Sequence, residues 1–323
     1  MKKILSLALA LVLVLSMSTV AFAADYDQYL DKDPVVSKTY EINKGTAPAE
    51  TFNFKFEGVS YKNGDGSIVS NAIIPDISKA NISFDALSAN TTKTVAASIN
   101  AEDYELGVYT YKVTEVAPAI KTAGVTYSNE NLYLVLTILR DEHSGKHYVA
   151  AMHYESATGT DKSTGFTNKY DSGSLTVSKE IEGNMADMTK KFNFTITFTA
   201  PVGTEIKSAI SSDCTTGTWS TDGLTYMISL GDGEEVTLSN IPADTTYTVT
   251  EDAENYTSDG GVFNDATKTI SANDRDTVTF TNTLTQGIDT GINLDSMPYI
   301  LMLAVVCMGL FVFFSKKRMM REN

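Results

Sequence analysis

Cysteine is scarce in this sequence. It has two cysteines in 323 residues, and Cys307 lies inside a long apolar run near the C-terminus. Only Cys214 remains elsewhere, so no disulfide can form within the rest of the chain. Exported domains often depend on disulfides, so the stability of this chain must come from core packing or from another kind of crosslink.

Basic residues are also few. The chain has 25 Lys and Arg against 40 Asp and Glu, and residues 24–290 alone carry 19 basic and 38 acidic residues, a net charge of −19. Such a surface repels phosphate groups, which excludes nucleic acid and anionic lipid as partners. The composition suits a folded body outside the cell.

Two apolar runs lie at the ends of the chain. Residues 1–23 contain two lysines, an apolar run and a final Ala-Phe-Ala, the pattern of a secretory signal peptide. Residues 297–314 are 18 apolar positions without a charge, followed by Lys316-Lys317-Arg318. This length suffices for a membrane helix whose basic end stays cytoplasmic.

Between these ends the sequence alternates as β-strands do. Val, Ile, Thr, Tyr and Phe recur in short runs such as 52–56, 109–113, 132–139 and 192–198, separated by Gly, Asn, Asp and Ser. This density of strands, without a long helical period, predicts an all-β fold of antiparallel sandwiches. We expect one short helix near residues 185–190.

Three signatures occur twice in the same order. They are Val-Ser-Lys at 36–38 and 177–179, Tyr-x-Val-Thr-Glu at 111–115 and 247–251, and Phe-Thr-Asn at 166–168 and 280–282. The repeat predicts two related domains, residues 24–171 and 172–284. The Glu-to-Asn interval is 53 residues in the first and 31 in the second, so the first domain carries an insertion.

Each repeat places a Lys, a Glu and an Asn on the apolar face of its strands, because side chains alternate between the faces of a strand. The two triples are Lys38, Glu115, Asn168 and Lys179, Glu251, Asn282. Burying a charge costs roughly several kcal/mol of folding free energy unless the charge is paired. One interpretation is a buried Lys–Glu salt bridge with the Asn completing its hydrogen bonds.

The other interpretation is a reaction. Burial lowers the pKa of a lysine and raises that of a carboxylic acid. A neutral amine then attacks the Asn carboxamide while the Glu hydrogen-bonds the Asn carbonyl and moves protons, and ammonia leaves. Two matched triples in a chain without a disulfide favour this Lys–Asn isopeptide bond over the salt bridge.

These signatures resemble the pilin isopeptide-linkage domains of Gram-positive sortase-assembled pili, and their arrangement resembles a two-domain major (shaft) pilin. The resemblance extends from Val35 to Thr283. It implies two tandem Ig-like, CnaB-like sandwiches with the Lys on the first strand, the Asn on the last and a catalytic Glu on a central strand. The implied bonds are Lys38–Asn168 with Glu115 and Lys179–Asn282 with Glu251.

Residues 285–323 are similar to a cell-wall sorting signal, in which a sortase cleaves between Thr290 and Gly291. The usual Leu-Pro-x-Thr-Gly pattern is altered, since Gly287 and Ile288 stand where Leu and Pro are expected. A plain membrane anchor is the alternative interpretation.

A polymerising pilin also needs a surface lysine that accepts the next subunit. The resemblance favours Lys162, six residues before Asn168 in a polar loop, and Lys169, Lys146 and Lys121 are the alternatives. An ordinary solvated loop residue is the competing interpretation of Lys162.

The function implied is a structural pilus subunit on the cell surface that is a sortase substrate and not an enzyme. Its expected partners are a sortase, identical subunits and cell-wall peptidoglycan, with a host matrix protein or glycan as a further candidate. We expect no cofactor and no metal site. The alternative function is a monomeric wall-anchored adhesin built from the same domains.

Overall fold

The computed structural model describes residues 33–157, 165–259, 266–286 and 297–319. Within these ranges strands predominate, and the regular helices are a one-turn 3-10 helix (Ala101–Asp103) and one long helix near the C-terminus. The expected signal peptide, residues 1–23, lies outside the described residues.

The strands up to residue 170 belong to what we call the first sandwich, in which two sheets face each other. They are β1 (Val35–Ile42), β2 (Glu50–Asn63), β3 (Ala80–Phe84), β4 (Thr91–Ala96), β5 (Gly107–Val116), β6 (Lys121–Thr122), β7 (Val125–Thr126), β8 (Asn131–Arg140), β9 (His147–Ser156) and β10 (Gly165–Tyr170). One sheet has the order β4-β1-β10-β7 and the other β3-β2-β5-β8-β9.

The strands from residue 172 onward form the second sandwich. They are β11 (Ser172–Glu182), β12 (Phe192–Thr199), β13 (Thr204–Glu205), β14 (Ser211–Ser212), β15 (Thr218–Trp219), β16 (Thr225–Leu230), β17 (Glu235–Pro242), β18 (Thr246–Asp252), β19 (Thr257–Ser258), β20 (Lys268–Thr269) and β21 (Arg275–Thr283). Its sheets have the orders β14-β17-β11-β21-β19 and β15-β16-β12-β18-β20.

Alternating side chains build a separate apolar core in each sandwich. Along β5, for example, Tyr109, Tyr111 and Val113 are buried, whereas the residues between them are partly exposed. Leu175, Val177 and Ile181 of β11 belong to the core of the second sandwich. The predicted class, tandem β-sandwiches, is confirmed.

The first and last strands of each sandwich lie side by side and run parallel. β1 pairs with β10 in the first sandwich, and β11 pairs with β21 in the second. The extra residues of the first repeat include the long β8–β9 hairpin, which adds two strands to the sheet opposite β1. These extra residues therefore lie in the sheet opposite β1 and not in the β1–β10 pair.

The short helix expected near residues 185–190 is wrong, because this segment forms turns. Its backbone closes a single turn, in which the N–H of Lys190 donates to the carbonyl of Asp187, and its other bonds reach residues distant in sequence. The N–H of Met185 donates to the carbonyl of Leu284, and the N–H of Asp187 donates to the hydroxyl of Tyr256.

Helix α1 (Met297–Met319) is long and apolar enough to cross a membrane over Tyr299–Arg318. It contains the predicted span of residues 297–314. The basic residues Lys316, Lys317 and Arg318 lie in its last turn.

A single residue, Asp171, separates β10 from β11, and further contacts tie the two sandwiches together beside it. The parallel pair of β6 and β13 joins a strand of each sandwich. Glu50 of the first sandwich accepts a hydrogen bond from the Thr122 hydroxyl and pairs with Lys207 of the second at 3.6 Å.

Asn240 is the most connected side chain at this junction. Its Nδ2 donates to the carbonyls of Thr46 and Ala209, and its Oδ1 accepts from the N–H of Thr46 at 2.8 Å. Its φ of 61° is left-handed, a conformation that Asn and Gly tolerate and most residues do not.

Two substitutions at this position separate its side-chain bonds from its backbone strain. Asn240→Gly keeps the left-handed backbone but removes the bridging bonds, and we expect it to cost about 1–2 kcal/mol of unfolding free energy. Asn240→Ala removes the same bonds and adds a Cβ at positive φ, so we expect a further loss of about 1 kcal/mol. Chemical denaturation measures both. Equal stability of the two variants would contradict the backbone argument.

Candidate functional site

The parallel pairing of first and last strands brings each Lys next to its Asn. Lys38 on β1 lies opposite Phe166 on β10, so Asn168 is two residues further along on the same face. In the second sandwich Lys179 lies opposite Phe280, and Asn282 has the same two-residue offset. Such diagonal neighbours are within reach of a long side chain.

In the first sandwich the facing sheet supplies the carboxylate between these two groups. Lys38 Nζ donates to Glu115 Oε2 at 2.6 Å, and Asn168 Nδ2 donates to Glu115 Oε1 at 2.5 Å. The Lys38 side chain is 0% exposed and that of Glu115 is 1% exposed. Glu115 thus uses one oxygen for the amine and the other for the amide.

In the second sandwich the same residue types meet in a looser arrangement. Lys179 Nζ is 3.3 Å from Glu251 Oε1, the same oxygen that accepts from Asn282 Nδ2 at 2.9 Å. Glu251 Oε2 accepts the Ser258 hydroxyl at 2.8 Å. The Lys179 amine also donates to the carbonyls of Glu180 and Phe280.

Aromatic rings close each site from water. Lys38 Nζ lies 4.5 Å from the centre of the Phe52 ring, and Lys179 Nζ lies 4.9 Å from that of Phe192. Each ring is the first residue of a Phe-Asn-Phe sequence, at 52–54 near the start of β2 and at 192–194 at the start of β12. Their role at the site was not predicted, because a phenylalanine in a strand ordinarily indicates core packing alone.

Burial changes the proton affinity of both amines. It lowers the pKa of Lys38 to about 8, although the hydrogen bond and the charge of Glu115 oppose the shift. It also lowers the pKa of Lys179, with Glu251 acting in the opposite direction. A lowered pKa makes the neutral, nucleophilic amine easier to reach.

The orientation of the Asn168 amide corrects one expectation. The backbone N–H of Ser128 donates to Asn168 Oδ1 at 2.7 Å. A backbone N–H can only donate, so the atom facing it is the carbonyl oxygen and the amide nitrogen faces Glu115. The expectation that the Glu hydrogen-bonds the Asn carbonyl is therefore wrong, since the carboxylate contacts the amide nitrogen in both sandwiches.

Neither Ser128 nor Ser258 was predicted from the sequence to contact the site. Ser128 acts through its backbone, which leaves no signal in the sequence, and it lies in the loop between β7 and β8. Ser258 is one of many serines in strands. Only its position beside Glu251 distinguishes it.

The structure describes only some of the residues that were expected to take part in assembly. Lys162, Thr290 and Gly291 lie outside the described residues. The alternative acceptors Lys121, Lys146 and Lys169 are all exposed, and Lys169 is 3.4 Å from Glu41.

Both sites thus hold an amine, a carboxamide and a carboxylate in contact and away from solvent. This set can transfer an acyl group from Asn to Lys without a metal or cofactor among its groups. Among the described residues, no group of three or more His, Cys, Asp or Glu side chains suits a metal ion.

Comparison with known families gives matches over both sandwiches. Residues 34–171 match the Spy0128-like isopeptide containing domain, and residues 173–284 match a domain of unknown function, DUF7601. A protein named Pilin from Streptococcus pyogenes serotype M1 is 30% identical over 308 residues, which cover 88% of this chain and 90% of that protein.

Solved structures agree with the fold. The major pilin from Streptococcus pyogenes is 24% identical with a TM-score of 0.54, covering 79% of this chain and 99% of that one. The major pilin T3.2 from serotype GAS13637 of the same species is 20% identical with a TM-score of 0.53, over 79% and 99% of the two chains. By the sequence relationship and the shared fold, the chain belongs to the pilin family and is a structural subunit of a surface pilus, not an enzyme.

Proposed function

We propose that this protein is the shaft subunit of a covalent pilus and that each sandwich, as a separate domain divided at residues 171–172, crosslinks itself once. The bonds join Lys38 to Asn168 and Lys179 to Asn282. The observation that carries the proposal is the carboxylate held between amine and amide in each core.

The reaction begins with a proton transfer in the buried pair. Lys38 gives a proton to Glu115, which leaves a neutral amine and a carboxylic acid. The Nζ lone pair attacks Cγ of Asn168, a C–N bond forms and negative charge develops on Oδ1.

Glu115 then moves protons between the two nitrogens. It protonates Nδ2, with which it already shares a hydrogen bond, and takes a proton from the new nitrogen. The Cγ–Nδ2 bond breaks and ammonia leaves. Glu251 has the same role for Lys179 and Asn282.

The crosslinks stabilise the fold in the way a disulfide does. The loops from Lys38 to Asn168 and from Lys179 to Asn282 span 130 and 103 residues. By the loop-closure argument each bond contributes about 4–5 kcal/mol against the unfolded chain. Unlike a disulfide, an amide cannot be reduced.

The first test is the intact mass of residues 24–290. Each bond releases one ammonia, so we expect a mass about 34 Da below that of the sequence. The matched control is Lys38→Ala, which should show a deficit of about 17 Da relative to its own sequence. A mass without any deficit would exclude both bonds.

The second test replaces each of the two proposed catalytic glutamates by alanine. We expect Glu115→Ala to abolish the Lys38–Asn168 bond and leave Lys179–Asn282 intact, and Glu251→Ala to do the reverse. We expect the unfolding free energy of each variant to fall by roughly several kcal/mol, because a crosslink is lost and a buried amine is left without its partner. Peptide mass spectrometry locates the bonds and calorimetry measures the stability. A Glu115→Ala protein that forms its bond at the normal rate would disprove the acid–base role.

Assembly would use residues outside the two cores. We infer that a sortase cleaves between Thr290 and Gly291 while helix α1 holds the precursor in the membrane, and that the product is joined to Lys162 of another subunit. Head-to-tail joining of this kind does not close, so it gives an open fibre. The last subunit is joined to cell-wall peptidoglycan.

Lys162→Ala tests this assembly in cells with the matching sortase. We expect it to remove the ladder of covalent oligomers in wall extracts, yet still allow single subunits to reach the wall. Thr290→Ala, the control, should block both. A normal ladder from Lys162→Ala would move the acceptor to Lys169, Lys146 or Lys121. The absence of a ladder from the unmutated chain would favour the monomeric adhesin, whose ligand would be a host matrix protein or glycan.

A further inference from the structure

We propose that the backbone N–H of Ser128 stabilises the negative charge that develops on Asn168 Oδ1 during bond formation in the first sandwich. This inference rests on the crosslinking reaction proposed above. It assigns the role of an oxyanion donor to a loop between β7 and β8 that carries none of the repeated signatures.

The geometry places this donor on the reacting oxygen. The distance from Ser128 N to Asn168 Oδ1 is 2.7 Å, and Asn168 is 0% exposed. When Nζ attacks Cγ, the carbonyl electrons move to Oδ1 and its hydrogen bond to the N–H becomes charge-assisted. The donor therefore binds the transition state more strongly than the ground state.

The donor is also held in place before the reaction. Tyr127, the preceding residue, accepts a hydrogen bond from the N–H of Thr122 and packs edge-on against Phe52. On the other side, the N–H of Glu130 donates to the Ser128 hydroxyl. A donor fixed by its neighbours need not reorganise when charge appears, which is the condition for effective electrostatic catalysis.

The same N–H orients the amide. With Oδ1 bound to Ser128, the amide nitrogen faces Glu115, so the group that must leave lies next to the group that protonates it. Loss of the N–H would remove both the charge stabilisation and the bias toward this rotamer.

The second sandwich provides an internal reference. Within the part of the chain that the structure describes, Asn282 Oδ1 is buried and has no hydrogen-bond partner. Ser128 belongs to the first sandwich and contacts Asn168, so a change at Ser128 should leave the rate of the Lys179–Asn282 bond unchanged.

The test compares two proteins that differ only in whether position 128 has a backbone N–H. The full chain is made by cell-free translation in detergent, either as Ser128→Ala or with lactic acid at position 128, which replaces the N–H by an ester oxygen and keeps the Ala side chain. Samples are quenched over time and digested, and mass spectrometry measures the Lys38–Asn168 and Lys179–Asn282 peptides. Removal of an oxyanion donor typically slows a reaction by about 10²–10³-fold.

Relative to Ser128→Ala, which keeps the N–H, we expect the ester to slow the first bond by about that factor compared with the second. An unchanged ratio in the ester protein would overturn the inference. Trypsin resistance in a Lys38→Ala background, which cannot crosslink, shows whether the first sandwich folds with the ester. If it does not fold, Ser128→Pro, which also lacks the N–H, decides by the same ratio. No crosslinked peptide in the unmodified chain would instead refute the proposed reaction.

Discussion

The burial of a lysine amine opposite a glutamate is the constraint on which each sandwich depends. An amine in an apolar core is stable only beside a carboxylate, and removal of either partner leaves an unpaired buried charge. The pair therefore fixes how the two sheets face each other, since Lys38 and Glu115 come from opposite sheets. The Asn completes the hydrogen bonds of the carboxylate, which is also what brings its amide to the amine.

The parallel pairing of first and last strands determines how the proposed fibre would carry load. In that fibre a pull enters at Lys162 and leaves at Thr290, so it runs along the backbone through Asp171 into β11 and, once the second bond has formed, passes from Lys179 to Asn282. The residues between Lys179 and Asn282 then carry no part of this load, whereas the first bond only ties β1 to the loaded strand β10. The contacts around Asn240 lie beside the one-residue connection that the load crosses.

Alternation and repetition made most of this architecture predictable. They identified the sandwiches and the two triples, because a strand buries every second side chain and a charged residue on that face stands out. They failed where contacts between residues distant in sequence determine the local structure. The turn at residues 185–190 is held by Leu284 and Tyr256, distant in sequence, and the donor to Asn168 Oδ1 is a backbone group. Neither leaves a local pattern, and the same holds for the bridging role of Asn240.

The two sites also show that a shared set of residues does not define a shared geometry. In the first, each oxygen of Glu115 has one partner, and the amine donates to it at 2.6 Å. In the second, one oxygen of Glu251 serves both Lys179 and Asn282, and the amine is drawn toward two backbone carbonyls. In the proposed reaction both lysines lose a proton, but Lys179 must also leave these two carbonyls before its lone pair can reach Asn282. The second bond would therefore require a rearrangement that the first does not need.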